Sequence, residues 1–262
     1  MEILQAILLG IIQGVAEFLP ISSSGHLSLL QHFFGINEAS ITFNIVLHIG
    51  SLCAVFAVFW RDILALIKNP FQKMTALLIV ATIPAVMLGY IFRSYIDIFS
   101  QGFFLAVAFA FTGVLLLIAD GIKNTSKTEK EMGFLDAICI GCMQALALPP
   151  GISRSGATIT GGLLSGLNRE TAARFSFLLS IIAIIGAGTL EIWEVSRSIN
   201  SATNITVYVI GFVVAAISGY FSIRILLGLI KRAKLKYFAY YVFILSALIL
   251  LDRFVLNLFI FY

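Results

Sequence analysis

The sequence predicts an all-α polytopic membrane protein made of two inverted-topology repeats. Each repeat is a re-entrant helix hairpin followed by three transmembrane helices. Three observations lead there: the composition, an internal repeat at half the chain length, and the placement of Lys and Arg. Of 262 residues, 60% are hydrophobic and only 11% are charged, against about a quarter charged in soluble domains. So little polar surface cannot clothe a soluble globule, and apolar stretches near 20 residues are expected to span a bilayer.

In chain order, residues 3–19 are apolar and are interrupted at Pro20 and the serines 22–24, with a second short piece at 25–35. Clean spans are expected at 41–60, 74–92 and 103–120. A second interrupted pair, 135–148 and 157–167, is broken at Pro149-Pro150-Gly151 and precedes spans at 174–193, 206–230 and 238–262. Proline and glycine at the breaks free backbone groups, which at membrane depth must be satisfied by protein or by a wet cavity. The first Lys or Arg is Arg61. A secretory signal needs a basic start, so residues 3–19 are read as part of the fold.

The repeat is direct. "LQAILLGIIQ" (Leu4 to Gln13) returns as "LDAICIGCMQ" (Leu135 to Gln144), and "ISSSG" (Ile21 to Gly25) as "ISRSG" (Ile152 to Gly156). Both lie at an offset of 131, as do Arg93 and Arg224. The chain therefore reads as one membrane domain, 1–262, of two halves at about 1–131 and 132–262.

Charge orients it. If both broken pairs are re-entrant, loops 61–73, 121–134, 168–174 and 231–237 share one face and carry twelve Lys/Arg. Loops 93–102 and 194–205 share the other and carry two. By the positive-inside rule the first face is cytoplasmic. Three spans per half invert the halves, both termini face outward, and the hairpin tips can meet near the midplane, where transporters of this design place their sites. Cys53, Cys139 and Cys142 lie in apolar helices and are read as buried small hydrophobes, the CxxC included.

The tips carry the chemistry. Gln13 and Glu17, at i and i+4, share a helix face, and an intramembrane carboxylate requires a partner or water. The nearest cation in sequence is more than forty residues away, so the partner comes from the other half, with Arg154 the candidate, or is a bound metal ion. "PGISRSGAT" (Pro150 to Thr158) offers a guanidinium, the hydroxyls of Ser153, Ser155 and Thr158, and the glycines Gly151 and Gly156 at a helix start. These are the parts of a phosphate cradle. Ser22, Ser23, Ser24 and Gly25 supply a second such turn, and His26 is a candidate nucleophile, base or acid. Small residues also serve close helix packing, which does not explain Glu17, His26 and Arg154 together. His48, inside a clean span, is read as a packing or hydrogen-bonding residue, and His32 is given no role.

"QGVAEFLPISSSGHL" with "QALALPPGISRSGAT" closely resembles the bacterial undecaprenyl-diphosphate phosphatase family, integral-membrane enzymes linked to bacitracin resistance. The likeness runs end to end and includes "ATIPAVMLG" and "LNRETAARFSFLLSI". It implies hydrolysis of undecaprenyl diphosphate to the monophosphate plus phosphate, recycling the lipid carrier for cell-wall synthesis in the bacterial inner membrane, with a site reached from the outer face. By the same resemblance Glu17, His26, Arg154 and Ser23 are catalytic and Glu17 is metal-associated. Gln13, Ser22, Ser24, Gly151, Ser153, Ser155, Gly156 and Thr158 then bind substrate. The implied cofactor is a divalent cation, Mg2+ first and Ca2+ second. Expected partners are the polyprenyl diphosphate lipid and a second copy of the chain, with no nucleic acid. Gln13 stands where many members have glutamate, leaving one carboxylate, and Pro149 replaces a commoner aliphatic residue. The residues alone leave the nucleophile open among His26, a serine of 22–24 and water. They also leave a second reading, a lipid-phosphate translocase or anion transporter on the same repeat.

Overall fold

The structure, a computed structural model, describes residues 1–36, 40–96, 102–123, 125–195, 205–230 and 234–256. Among these the chain is all-helical apart from one isolated bridge between Lys127 and Leu167. The helices are α1 (Ile3–Phe18), α2 (Ser23–Phe33), α3 (Ser40–Lys68), α4 (Lys73–Ile96), α5 (Gly102–Gly121), α6 (Phe134–Leu146), α7 (Arg154–Leu164), α8 (Arg169–Val195), α9 (Ile205–Ile230) and α10 (Lys236–Leu251). α10 runs on into a π-helical turn, Asp252–Leu256. Among the described residues six helices are long and apolar enough to cross a membrane: Thr42–Lys68, Lys73–Phe92, Gly102–Gly121, Arg169–Thr189, Ile205–Gly228 and Lys236–Leu256. Each overlaps one of the six expected spans, of which the last, 238–262, runs past the described residues at 257–262.

Helix starts differ from expectation, and side-chain caps are the reason. The expected second pieces of the broken pairs begin at 25 and 157, but α2 begins at Ser23 and α7 at Arg154. Ser22 Oγ accepts from the Gly25 N–H and Ser153 Oγ from the Gly156 N–H, so each serine is the N-cap of its helix. Such a cap satisfies one of the four donors a helix start leaves over. Asn168 does the same for α8, accepting from Thr171 N–H at 2.8 Å. The expected loop 168–174 is thus helix, and Arg174 reaches Asp62 and Glu129 from it. α3 likewise outruns its expected end at 60, with Arg61 lying over the Trp60 ring. Of the two cations expected on the opposite face, Arg93 falls in the last turn of α4 and Arg197 lies outside the described residues.

Packing follows small residues. Lipid tails are as apolar as leucine, so helices gain little by hiding apolar surface from one another, and close approach has to supply the attraction. A Cβ on Gly14 would stand 2.0 Å from Ser218 Oγ and 2.5 Å from Ala215 O, which fixes α1 against α9. A Cβ on Gly141 would stand 2.4 Å from Ala81 O, which does the same for α6 and α4. Gly113 receives the Phe243 ring, seating α10 on α5, and Ser246 donates to Ala106 O across that seam. One apolar core gathers Phe18, Phe59 and Phe177, with Phe18 and Phe177 edge to face at 5.9 Å. The cysteines correct the expectation of buried thiols. Cys53 and Cys142 are exposed on apolar helix faces and Cys139 is half-buried, all three free.

Candidate active site

α1 and α6 each stop where the chain breaks, and the two breaks meet. A Cβ on Gly25 would lie 2.9 Å from Gly151 Cα and 2.6 Å from the Phe109 ring. A Cβ on Gly156 would lie 3.4 Å from Pro20 Cβ and 3.2 Å from its own cap Ser153. Ser155 O–H donates to Leu19 O at 3.1 Å, a direct bond from one tip to the other. Gly151 takes φ +93, a backbone state that disfavours any side chain. Thr112, from α5, holds the second tip by donating to Gly151 O and accepting from Ser153 N–H, both at 3.0 Å.

Glu17 is the hub. Its Oε1 accepts from Arg154 Nη2 at 2.5 Å, joining residues 137 apart in sequence. Its Oε2 accepts from the Ser23 hydroxyl at 2.6 Å and from Gln13 Nε2 at 3.1 Å. Gln13 is fully buried and also reaches Ser51 Oγ at 3.4 Å. A buried carboxylate with three donors is tolerated because pairing and hydrogen bonding offset its desolvation. Within this network Arg154 Nη1 and Gln13 Oε1 are buried without a partner. The first is a cationic donor and the second an acceptor.

Of the predicted site residues, Gln13, Glu17, Ser23 and Arg154 form one bonded network. Ser22 and Ser153 are buried caps, and their hydroxyls lie 3.3 Å from Ser24 Oγ and 3.2 Å from Ser155 Oγ respectively. Ser24 is exposed. Thr158 is buried and directed at α8, with its hydroxyl 2.6 Å from Ser176 Oγ and 2.8 Å from Arg154 O. The amides of Ser153 and Gly156 are already taken, by Thr112 and by the cap. Arg154 and Ser155, the first two helical positions, carry the amides left over for a ligand. His26 stands apart from Glu17: Nδ1 lies 2.7 Å from Ser22 O and Nε2 2.7 Å from the Tyr241 hydroxyl.

Two neighbours were not legible in the sequence. His48 keeps the expected hydrogen bond, Nδ1 to Asn44 O at 2.8 Å, yet its Nε2 points at Glu17 Oε2 from 3.8 Å. Tyr241 comes from the far end of the chain. A polar atom inside a clean span was the signal for the first; nothing local distinguishes Tyr241 from its neighbours Tyr237 and Tyr240.

Among the described residues there is no group of three His, Cys, Asp or Glu suited to a metal. The oxygens at the hub (Glu17 Oε2, the unpartnered Gln13 Oε1 and Ser23 Oγ) are nevertheless the hard donors that a magnesium-like ion takes, the remainder being water or phosphate.

Residues 6–248 match the family model described as bacitracin resistance protein BacA. The chain is similar to an undecaprenyl-diphosphatase of Carboxydothermus hydrogenoformans, 43% identical over 253 residues, covering 95% of this chain and 97% of that one. It is 46% identical over 255 residues to undecaprenyl-diphosphatase 4 of Bacillus thuringiensis subsp. konkukian, covering 97% and 98%. An undecaprenyl-diphosphatase of Rubrobacter xylanophilus is 42% identical over 265 residues. Such likeness, over 95% and 97% of the chain, establishes that the chain belongs to the bacitracin resistance protein BacA family.

Proposed function

We propose that the protein is an undecaprenyl-diphosphate phosphatase, releasing inorganic phosphate and undecaprenyl phosphate in a bacterial plasma membrane. The observation that carries this reading is Arg154. One nitrogen of its guanidinium is bonded to Glu17 and the other is buried without an acceptor. A buried cationic donor held ready beside a helix start is a place for a phosphate oxygen.

The chain's own groups then divide the work. Arg154 Nη1 and the amides at the start of α7 hold the terminal phosphate and take up charge that grows at its oxygens. Ser23 Oγ attacks the terminal phosphorus. A Ser23 O–P bond forms, the anhydride P–O bond breaks, and the lipid monophosphate leaves. The Ser23 proton passes to Glu17, the acceptor already 2.6 Å away. Water, giving a proton to His26 one turn on along α2, then attacks the phosphoserine; the Ser23 O–P bond breaks, Glu17 returns its proton to Ser23 Oγ, and inorganic phosphate leaves. A divalent cation held by Glu17, Gln13 and Ser23 would supply further neutralisation of phosphate charge.

The fold supports the inverted repeat. At the offset of 131, Ser22 caps Gly25 as Ser153 caps Gly156, and Ser22 approaches Ser24 as Ser153 approaches Ser155. α1 packs on α9 as α6 packs on α4. In this reading both broken pairs are re-entrant and both termini lie outside. The whole chain is then one membrane domain with its site at the midplane.

The test is phosphate release by purified protein from a polyprenyl diphosphate with Mg2+ in detergent, in wild type and in Ser23→Ala. Release by the wild type, with the variant reduced by at least a hundredfold, is expected. A wild type that moves lipid phosphate across vesicles without cleaving it would put the translocase in the enzyme's place.

A further inference from the structure

His26 is 6% exposed, with a Phe109 edge on one side and the Tyr241 ring stacked on the other at 5.6 Å and 8°. Its Nδ1 faces Ser22 O, a carbonyl, which only accepts. Nδ1 therefore carries the proton, and in the neutral ring Nε2 carries the lone pair. Tyr241 O–H, 2.7 Å from Nε2, is then the donor. Tyr241 itself is 45% exposed. The Nε2 lone pair of the imidazole thus faces this one hydroxyl.

The backbone is bent to the same purpose. Ser22, whose carbonyl receives Nδ1–H, has φ 71, the one positive φ outside glycine among the described residues. Its repeat counterpart Ser153, which caps its helix in the same way, has φ −74. Strain of this kind persists where surrounding contacts enforce it. At the offset of 131, His26 corresponds to Ala157 and Tyr241 to Ala110. The imidazole and the strained turn stand in the first half and the phenol in the second, and none of the three recurs at the repeat-related position of the other half.

We infer that Tyr241 is a positioning residue for His26. Its ring fixes the plane of the imidazole, and its hydroxyl holds the tautomer with the Nε2 lone pair on the site side until water takes its place. The inference rests on the role for His26 proposed above.

The experiment separates the two. Phosphate release is measured for Tyr241→Phe, His26→Gln and the double variant. Tyr241→Phe keeps the stacked ring and loses one neutral hydrogen bond, so kcat should fall about two- to tenfold. KM should stay unchanged, since the hydroxyl touches no phosphate. In the His26→Gln background the same change should have no further effect. A full-length protein with nitrogen-15 histidine has three histidines, and His26→Gln identifies the resonance of interest. That resonance should report the Nδ1–H tautomer in the wild type, with its Nε2 signal shifted by Tyr241→Phe. Equal losses in both backgrounds, or an Nε2–H tautomer in the wild type, would overturn the inference. Full activity in His26→Gln would instead remove the role assigned to His26, and the inference with it.

Discussion

Replacing Arg154 by lysine preserves the charge and removes the fork. In the structure one guanidinium nitrogen holds Glu17 at 2.5 Å while the other is buried and free for a phosphate. A lysine ammonium is a single point of charge and cannot serve two acceptors on opposite sides with the same geometry. One charge-assisted hydrogen bond is lost, worth about 1.5–3 kcal/mol. If that bond is made to the transition state, kcat/KM should fall roughly 10- to 150-fold. Stability should change little, because Glu17 retains its bonds from Ser23 and Gln13. Lysine is a better probe than alanine for that reason. Arg154→Ala would strand a buried carboxylate and cost about 3–5 kcal/mol, mixing unfolding with lost chemistry. The assay is phosphate release in detergent with Mg2+, run beside a thermal melt. An Arg154→Lys protein with an unaltered melt and kcat/KM within about twofold of wild type, against the loss expected for one charge-assisted hydrogen bond, would falsify the assignment of Arg154 as the phosphate donor.

Two further predictions concern the junction of the tips. Gly25→Ala drives a methyl to 2.6 Å from the Phe109 ring and 2.9 Å from Gly151 Cα, so the tips must part. Overpacking of this kind costs about 1–3 kcal/mol; melting temperature and phosphate release should fall together, and an unchanged melt would show that the tips do not touch. Thr112→Val keeps the side-chain shape and strands Gly151 O and Ser153 N–H. Each unsatisfied group costs about 1–3 kcal/mol. Faster hydrogen exchange at Ser153 with a lowered melt is expected, and unchanged exchange there would refute the tie.

The sequence by itself determined the membrane class, the six spans and the two breaks, and offered Arg154 or a bound metal ion as the partner of Glu17; the structure pairs Glu17 with Arg154. What was legible rests on composition and period: apolar runs long enough to span, prolines and glycines that end helices, and a lone carboxylate far in sequence from any cation. Gln13 and Glu17 were legible as neighbours because a helix places i and i+4 on one face. Helix starts were not, since Ser22 and Ser153 act as caps only through side-chain geometry. Only the tertiary structure decided which polar groups face the site and which hold the scaffold. Thr158 and Ser153 read as pocket residues in sequence, yet their bonds run to Ser176 and to the tip itself. His48 and Tyr241 sit in stretches whose composition is that of any span, and only folding brings them to Glu17 and His26. The reason is physical: a membrane helix advertises its length and its breaks in sequence, whereas the contacts of its flanks depend on which small residues let which neighbour come close.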